Sequence, residues 1–505
     1  MPGLNASLYL GLTGLQAQQS ALNVVGQNIA NVNTPGYTRQ RAELTSNFSQ
    51  ADGQLYFGTG VSLTAVQGIR DRFLDLQIYR ETAKQSGAAE RFAGLNAIAT
   101  SLADTGATGI AALVQTFFQG FQDLSAQPES SALRSNLINK AQGMVTALQS
   151  RYQLLDDQRN NADQAVKSLV TEVNSLTSQI SQLNLRVMAE SSPGANNDAR
   201  DQRKALTDKL ATLVGINVYE GDKGEYQITL DSGSGTLVSG SSAFDLSTLG
   251  GAGLDGRASV VLKLGTSTID VTSGIKEGQL GAKLDLRDNI LRGYQQQLDK
   301  LAAGIASQVN LQHTKGFDAK GVQGTNFFLG AQGPYDAATG LPPLPPPPPN
   351  PLGLPSYSSG DPSQFYRGMV NELAINAAIV KDPSLVAAAG AAGAGGDNAN
   401  ANALASLQFT ADSGFGGTVL GSPYSTVVGS LVSDVGNRVQ TWNTQATAQQ
   451  NLVLALQNQR DSLSGVNLDE EASNMMTLQR GYQASARFIS VINQLTDQLV
   501  NQFGR

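Results

Sequence analysis

Residues 129–190 read ESSALRSNLINKAQGMVTALQSRYQLLDDQRNNADQAVKSLVTEVNSLTSQISQLNLRVMAE, and this stretch decides the fold. Ile138, Ala141, Val145, Leu148, Tyr152, Leu155, Ala162, Val166, Leu169, Val173, Leu176, Ile180, Leu183 and Val187 hold one a/d register. Arg159 is its single polar member. Apolar residues recurring every three or four positions form one stripe along a helix. Unbroken, that helix spans about 75 Å at 1.5 Å per residue. A stripe this long has to be covered by other helices, and segments 71–103 and 109–127 supply candidates. Pro193-Gly194 stops it, and a shorter helix follows over 199–214.

Beyond residue 215 the period changes to two. Ile216–Tyr219, Tyr226–Leu230 and Ser259–Leu264 read as strands separated by Gly and Ser clusters. Helix returns over 279–312, where Leu280, Leu284, Leu291, Leu298, Leu301 and Ile305 recur at helical spacing. A proline run at 341–351 reads as a solvated polyproline II spacer, with a docking ligand for a proline-recognition domain as the alternative. Ala387–Gly396 is a second low-complexity stretch.

Both ends are helical again. Leu8, Leu12, Leu15, Leu22 and Ile29 form a seam that stops before Pro35-Gly36, which suits the centre of a type II turn. Gly58 and Gly60 flank a hairpin in the extended segment at 37–68. At the other end Met475, Leu478, Tyr482, Ile489, Ile492, Leu499 and Phe503 share one seam. Asn467 is placed to cap this helix, with Asp469, Glu470 and Glu471 at the positive end of its dipole. The expected fold is mainly α with a smaller β domain, elongated and multi-domain, its terminal helices forming a coiled-coil core. The units expected are an N-terminal helix and extended segment (1–70), a helical bundle (71–214), a small β-rich outer domain (215–278), a helical return with insertions (279–423) and a C-terminal helical segment (424–505).

The composition fits a structural role. Of 505 residues 40% are hydrophobic and only 6% aromatic, which favours elongated modules with thin cores. Net charge is −7 with no basic block, so no nucleic-acid footprint is present. There is no cysteine, and the one histidine, His313, has no partner at metal-ligand spacing, so neither a thiolate nor a zinc site is expected. Gly251-Ala252-Gly253-Leu254-Asp255-Gly256 matches a dinucleotide-binding string, but a strand follows it where the mechanism needs a helix N-terminus. No cofactor, metal or catalytic residue is expected. The N-terminus has neither a charged n-region nor an apolar h-region, and no run of about 18 apolar residues occurs, so neither a cleaved signal nor a membrane span is expected.

The energetics of the ends point to assembly. Burying a large apolar side chain contributes about 1.5–3 kcal/mol, while ordering one backbone residue costs about 1–2 kcal/mol. A lone helix burying one side chain in three or four is marginal until neighbouring copies cover its seam.

Two motifs give these ends a family. Ala21-Leu22-Asn23, followed by Asn28-Ile29-Ala30-Asn31-Val32-Asn33-Thr34-Pro35-Gly36-Tyr37, resembles the N-terminal signature of the bacterial flagellar axial proteins, which comprise rod, hook and hook-associated proteins. Ser464-Gly465-Val466-Asn467-Leu468-Asp469-Glu470-Glu471-Ala472 and Gln479–Arg487 resemble the matching C-terminal signature. Leu298–Ala302, Val309-Asn310, His313, Gly316, Asp318, Gly321, Gly324 and Phe327-Phe328, with Gly396-Asp397-Asn398 and the long helix, are similar to the hook-associated members.

The resemblance implies a non-enzymatic subunit at the junction between hook and filament. It implies export without a cleaved signal and assembly into a ring or helical layer outside the cell. The partners it implies are the hook protein, a second junction protein and a cytoplasmic export chaperone on the C-terminal segment. The two ends would be disordered in the free subunit over about 1–35 and 475–505 and pair on assembly, the Leu8–Ile29 seam against the seam of Leu478, Tyr482, Ile489, Ile492 and Leu499. The alternatives are a hook or rod subunit, a fused peptidoglycan hydrolase, or a coiled-coil adhesin.

Overall fold

The computed structural model describes residues 2–52, 55–102, 109–189, 196–329, 368–409 and 423–503. The proline run at 341–351 and the Pro193-Gly194 stop lie outside them. Helix α1 (Pro2–Ala30) leads into an arm of four short strands, β1 (Gln40–Ser46), β2 (Gln50–Asp52), β3 (Leu55–Phe57) and β4 (Val61–Gly68). β1 and β4 pair antiparallel from Gln40↔Gly68 to Ser46↔Val61, and β2 and β3 form a hairpin at the far end. In the turn before the arm Gly36 has φ +80°, the left-handed value required at the second central position of a type II turn.

Three helices follow, α2 (Arg72–Leu102), α3 (Ile110–Ala126) and the 58-residue α4 (Ser131–Met188). The Ser130 hydroxyl caps α4 by accepting from the Leu133 N–H at 3.3 Å. The register read from the sequence is buried along α4 with one exception: Leu169 is half-buried and Val170 turns inward instead. A straight helix drifts about 20° per heptad from a 3.5-residue repeat, and the steps Ala162–Val166–Val170 absorb that drift.

After α5 (Asn197–Leu213) come two antiparallel sheets. One has the order β5-β6-β7-β8, from β5 (Ile216–Glu220), β6 (Tyr226–Leu230), β7 (Thr236–Ser239) and β8 (Ser242–Ala243). The other has the order β11-β10-β9, from β9 (Leu246–Leu249), β10 (Ser259–Leu264) and β11 (Ser267–Asp270). Ile216, Ile228, Leu230, Val260 and Leu262 bury one face of these sheets against Val166, Val173 and Ile180 of α4 and Leu210 of α5. The helices therefore supply the second layer that the sheets need for a core. The Gly251–Gly256 string runs through a short 3₁₀ turn into β10.

α6 (Gly278–Asp285) continues through a π-turn over Leu286–Ile290 into α7 (Leu291–His313). β12 (Phe328–Leu329), α8 (Met369–Glu372), β13 (Ala374–Ile375), α9 (Ala377–Lys381) and α10 (Ala399–Ser406) follow, with β12 paired to β13. The chain closes with α11 (Tyr424–Ser464) and α12 (Leu468–Phe503). α11 lies along α2, and α12 along α1. A second core is aromatic. Phe117, Phe118 and Phe121 of α3 meet Phe327 and Phe328, and Tyr424 stacks on Phe118 with centroids 5.6 Å apart.

Arg159 is buried because three elements satisfy it. It donates from Nε to the Arg287 carbonyl, from Nη1 to Gln295 Oε1 at 2.7 Å and from Nη2 to Asp255 Oδ2 at 2.6 Å. Arg287, fully buried on the π-turn, donates to Asp163 Oδ1 and the Ala258 carbonyl. These bonds pin the loop before β10 to α4, and the charges are tolerable only because they are paired and hydrogen-bonded.

His313 is wholly buried. Its Nε2 accepts from the Ala387 N–H at 2.9 Å, so the proton sits on Nδ1 and is donated to the Thr325 carbonyl. Ala387, Ala388 and Ala389 are small enough to lie buried beside it, while Ala391 and Ala392 are exposed. Burial pulls the His313 pKa down from 6.5 to about 4. The unfolded chain then takes up a proton below pH 6.5 that the folded chain refuses, so stability falls as the pH drops towards 4. Between pH 7 and pH 5 His313 should cost about 2 kcal/mol, read from urea midpoints. His313→Gln should lack that component, and an equal acid loss in the variant would assign it to other groups.

Candidate assembly interface

The two ends of the chain meet in a buried polar junction. Tight helix geometry brings Asn28, on the last turn of α1, beside the start of α12, and the Gly36 turn returns the chain so that Tyr37, Arg39 and Gln40 close over it. Asn28 is 1% exposed and uses all its hydrogen-bonding capacity. Its Nδ2 donates to the Gln40 carbonyl at 2.8 Å and to Glu471 Oε2 at 3.1 Å. Its Oδ1 accepts from the Tyr37 hydroxyl at 2.9 Å and the Gln40 N–H at 3.0 Å. Burial, then the carboxylates of Asp201 and Glu471, pushes the Tyr37 pKa up to about 12, so it remains a neutral donor.

Arg39 spans the two neighbouring acids. Its Nε donates to Glu471 Oε1 at 2.7 Å, and Nη1 and Nη2 form a fork with Glu470 at 3.0 and 2.7 Å. The Arg39 hydrogen bond holds the Glu470 carboxyl below its ordinary range, and Glu470 in turn raises Arg39. Asn467 Oδ1 accepts from the N–H groups of Asp469 and Glu470 at 3.0 and 3.4 Å, the capping arrangement of a helix start. Gly465 closes the turn between α11 and α12. A Cβ there would lie 2.3 Å from the Asp461 carbonyl oxygen, so no other residue fits.

Of the other motif residues, Asn31 donates to the Gln27 carbonyl and accepts from the Thr34 hydroxyl, which shapes the turn after α1. Asn33, Pro35 and Gly36 are exposed on that turn. A second anchor ties the arm to the body. Asp201 of α5 accepts from the Thr38 N–H and hydroxyl at 3.1 and 2.7 Å and from Arg70 Nη2 at 2.5 Å, while Asn197 donates to the Val66 carbonyl.

α1 and α12 run antiparallel, with Asn28 opposite Glu471, Gln18 opposite Gly481, Gly14 opposite Ser485 and Gly11 opposite Ile489. The contact face of α1 is built from small residues. A Cβ on Gly11 would come within 2.7 Å of Ile489, so the helices approach as closely as glycine permits. Leu8, Leu15, Leu22 and Ile29 lie half-buried at the border of this contact, and Leu12 is 44% exposed. On α12 the residues Met475, Leu478, Tyr482, Ile489, Ile492 and Leu499 are half-buried in one row. The Phe503 side chain lies outside the described residues. A second row, Phe488, Val491 and Leu495, faces solvent, with Val491 52% exposed.

Arg39, Thr38, Arg70 and Asp201 are junction residues that the sequence reading passes over. Arg39 directly follows the Asn28–Tyr37 motif, which is the one local cue. Asp201 lies 163 residues from Thr38 and offers none. Among the described residues no group of acids or histidines is arranged to hold a metal ion, and no helix is long and apolar enough to cross a membrane.

Comparison with known proteins gives concordant matches. Residues 95–328 match the model of the flagellar hook-associated protein FlgK helical domain. Residues 8–38 match that of the flagella basal body rod protein, and 457–502 that of the flagellar basal body rod FlgEFG protein C-terminal region. Flagellar hook-associated protein 1 of Salmonella typhimurium is 30% identical over 545 residues, covering 97% of this chain and 98% of that protein. Its namesake in Bacillus subtilis is 26% identical, with 99% of each covered. Flagellar hook protein FlgE of Borreliella burgdorferi is 49% identical, but over only 9% of this chain. The solved flagellar hook junction protein FlgK from Burkholderia pseudomallei has the same fold, with TM-score 0.65, 18% identity, and coverage of 77% of this chain and 100% of that one.

Glu471→Ala should remove the acceptor of both Asn28 and Arg39 and cost the junction about 2 kcal/mol, the loss expected of hydrogen bonds to a charged group. Amide exchange should accelerate over 28–40 and 465–475 while α3 and α4 stay protected. Unchanged protection at both ends would mean that the junction does not hold them.

Proposed function

This chain belongs to the flagellar hook-associated protein 1 family, and on that premise we propose that it forms the layer joining hook to filament, assembling through its paired end helices. It is a structural, non-enzymatic component of the flagellum, part of the extracellular axial structure. Similarity to hook-associated relatives runs the full length of the chain, whereas similarity to the rod and hook proteins is confined to its ends, the FlgG and FlgE matches each covering 9% of it. That contrast favours the junction over the hook or rod.

The observation that carries the assembly mechanism is the pairing of α1 with α12 through a small-residue face that leaves larger apolar side chains outside. Leu12, Phe488, Val491 and Leu495 remain exposed along a narrow helix pair that the β1–β4 arm covers only on one side of α1. Contiguous exposed apolar surface of this kind marks an interface. Neighbouring copies of the same pair are the natural cover, arranged as a ring or helical layer. The Asn28–Arg39–Glu471 junction then serves as the fixed elbow from which the pair projects. In the free subunit, residues of about 1–35 and 475–505 are frayed or disordered, and in the assembly they form this helix pair and the junction at its base. The hook protein is the partner on one side and a second junction protein on the other. A cytoplasmic chaperone covers the C-terminal apolar rows before export.

Deletion of the gene, followed by electron microscopy of the cells and a flagellin assay on the medium, tests this function. Hooks without filaments, with soluble flagellin in the medium, are expected. Normal filaments would overturn the junction role, and loss of hooks as well would move the protein to the hook or rod.

A further inference from the structure

The start of α2 and the outer strand β5 border a cleft of about 700 Å³. Its mouth is aromatic and open, with Phe73 86% and Tyr219 67% exposed. At its base lies Tyr79, 2% exposed, whose hydroxyl has no hydrogen-bond partner. A buried hydroxyl facing a cleft without a partner is costly unless an occupant satisfies it. Arg70, Arg72 and Arg200 line the cleft with Asp75 and Glu220; Arg70 is paired with Asp201, and the Arg72 guanidinium, 72% exposed, presents positive charge at the mouth.

The same chain carries a complementary feature. Phe48 is 96% exposed and Tyr56 76% exposed at the far end of the arm, with Phe57 exposed beside them. Asp52 is the only charged residue in segment 47–58, so the tip opposes the charge of the cleft. Three aromatic side chains at about 150–250 Å² each approach the roughly 800 Å² per partner of a standard interface. The tip cannot serve its own cleft. Gln67 and Gly68 line the cleft, and the β1–β4 ladder from Gln40↔Gly68 to Ser46↔Val61 holds the tip about 20 Å away at 3.4 Å per residue. Gly60, at the base of the tip, instead lies against Leu10 and Thr13 of α1, where a Cβ on it would collide with Thr13.

We propose that the cleft is a socket between subunits, and that its occupant is the arm tip of a second copy of this chain, carrying Phe48, Tyr56 and Phe57. Tyr56 suits it best, with an aromatic body for the mouth and a hydroxyl for Tyr79. Knob and socket occupy different surfaces, so the contact is head-to-tail and propagates around a ring or along a helix. The proposal rests on the reading that the chain self-assembles.

The absence of cysteine makes the test clean. A strain lacking the native gene would express two copies distinguished by a tag, one with Tyr56→Cys and one with Tyr219→Cys, and its intact flagella would be treated with a short bis-maleimide. A tagged–untagged heterodimer is expected, roughly tenfold above the yield when the second thiol is moved to exposed Ile269 on β11, as effective concentration at a seated contact requires. A second pair, Phe48→Cys with Phe73→Cys, should give the same product and serves if either first variant fails to incorporate. Filaments that form normally from the variant copies, with no heterodimer or with equal yield from Ile269→Cys, would overturn the socket and leave the junction role intact. Filaments that form without the protein at all would instead remove the junction role.

Discussion

One carboxylate, Glu471, governs how this molecule ends. It is 1% exposed and cannot be left alone in that environment without a large desolvation cost. Its partners are Asn28 and Arg39, which lie 443 and 432 residues earlier in the chain. The two termini therefore have to meet, and once they do the direction of α1 relative to α12 is set. Closing so long a loop directly would be unfavourable, but the penalty grows only by about 0.6 kcal/mol for each doubling of length. The folded body reduces it further. α2 and α11 already lie side by side, with Leu74 and Ile78 packed on Leu456 and Arg91 over the Trp442 ring at 4.8 Å. The junction closes at the end of a pair that the body has aligned.

The body itself is organised by α4, and most of that was legible. A strict apolar repeat over fifty positions can only be a long helix with a covered stripe, and the single polar member, Arg159, marked the place where the stripe would need a polar neighbour. Its partners were not legible, because Asp255, Gln295 and the Arg287 carbonyl come from elements about 100 to 140 residues away. The shift from Leu169 to Val170 was invisible for another reason. Both are apolar, and only the accumulated drift of the helix decides which one faces in. The two-residue period after 215 announced strands, but gave no sign that the sheets would share their core with α4 and α5.

At the ends, sequence and structure weigh the residues differently. Large leucines draw the eye to Leu8, Leu12, Leu15 and Leu22, yet close helix approach is made by glycine and alanine, and the small face at Gly11 and Gly14 carries little hydropathy. The motif residues Asn28 and Tyr37 stood out by pattern. What they bind became apparent only when the chain returned from the far terminus with Glu471. Local capping of α12 by Asn467 was readable because donor and acceptor lie two and three residues apart. In this chain, short-range chemistry could be read from the sequence and long-range pairing could not.

The placement of the junction has a consequence for incomplete chains. A polypeptide cut between the end of α11 at Ser464 and Asn467 retains α1, the arm, both sheets and the helices around α4. It lacks the carboxylate that Arg39 and Asn28 require and the helix that covers the small face of α1. Such a fragment can build the body and still lack the one element with which it would join its neighbours. Helix α12, far along the chain, is thus what makes α1 usable.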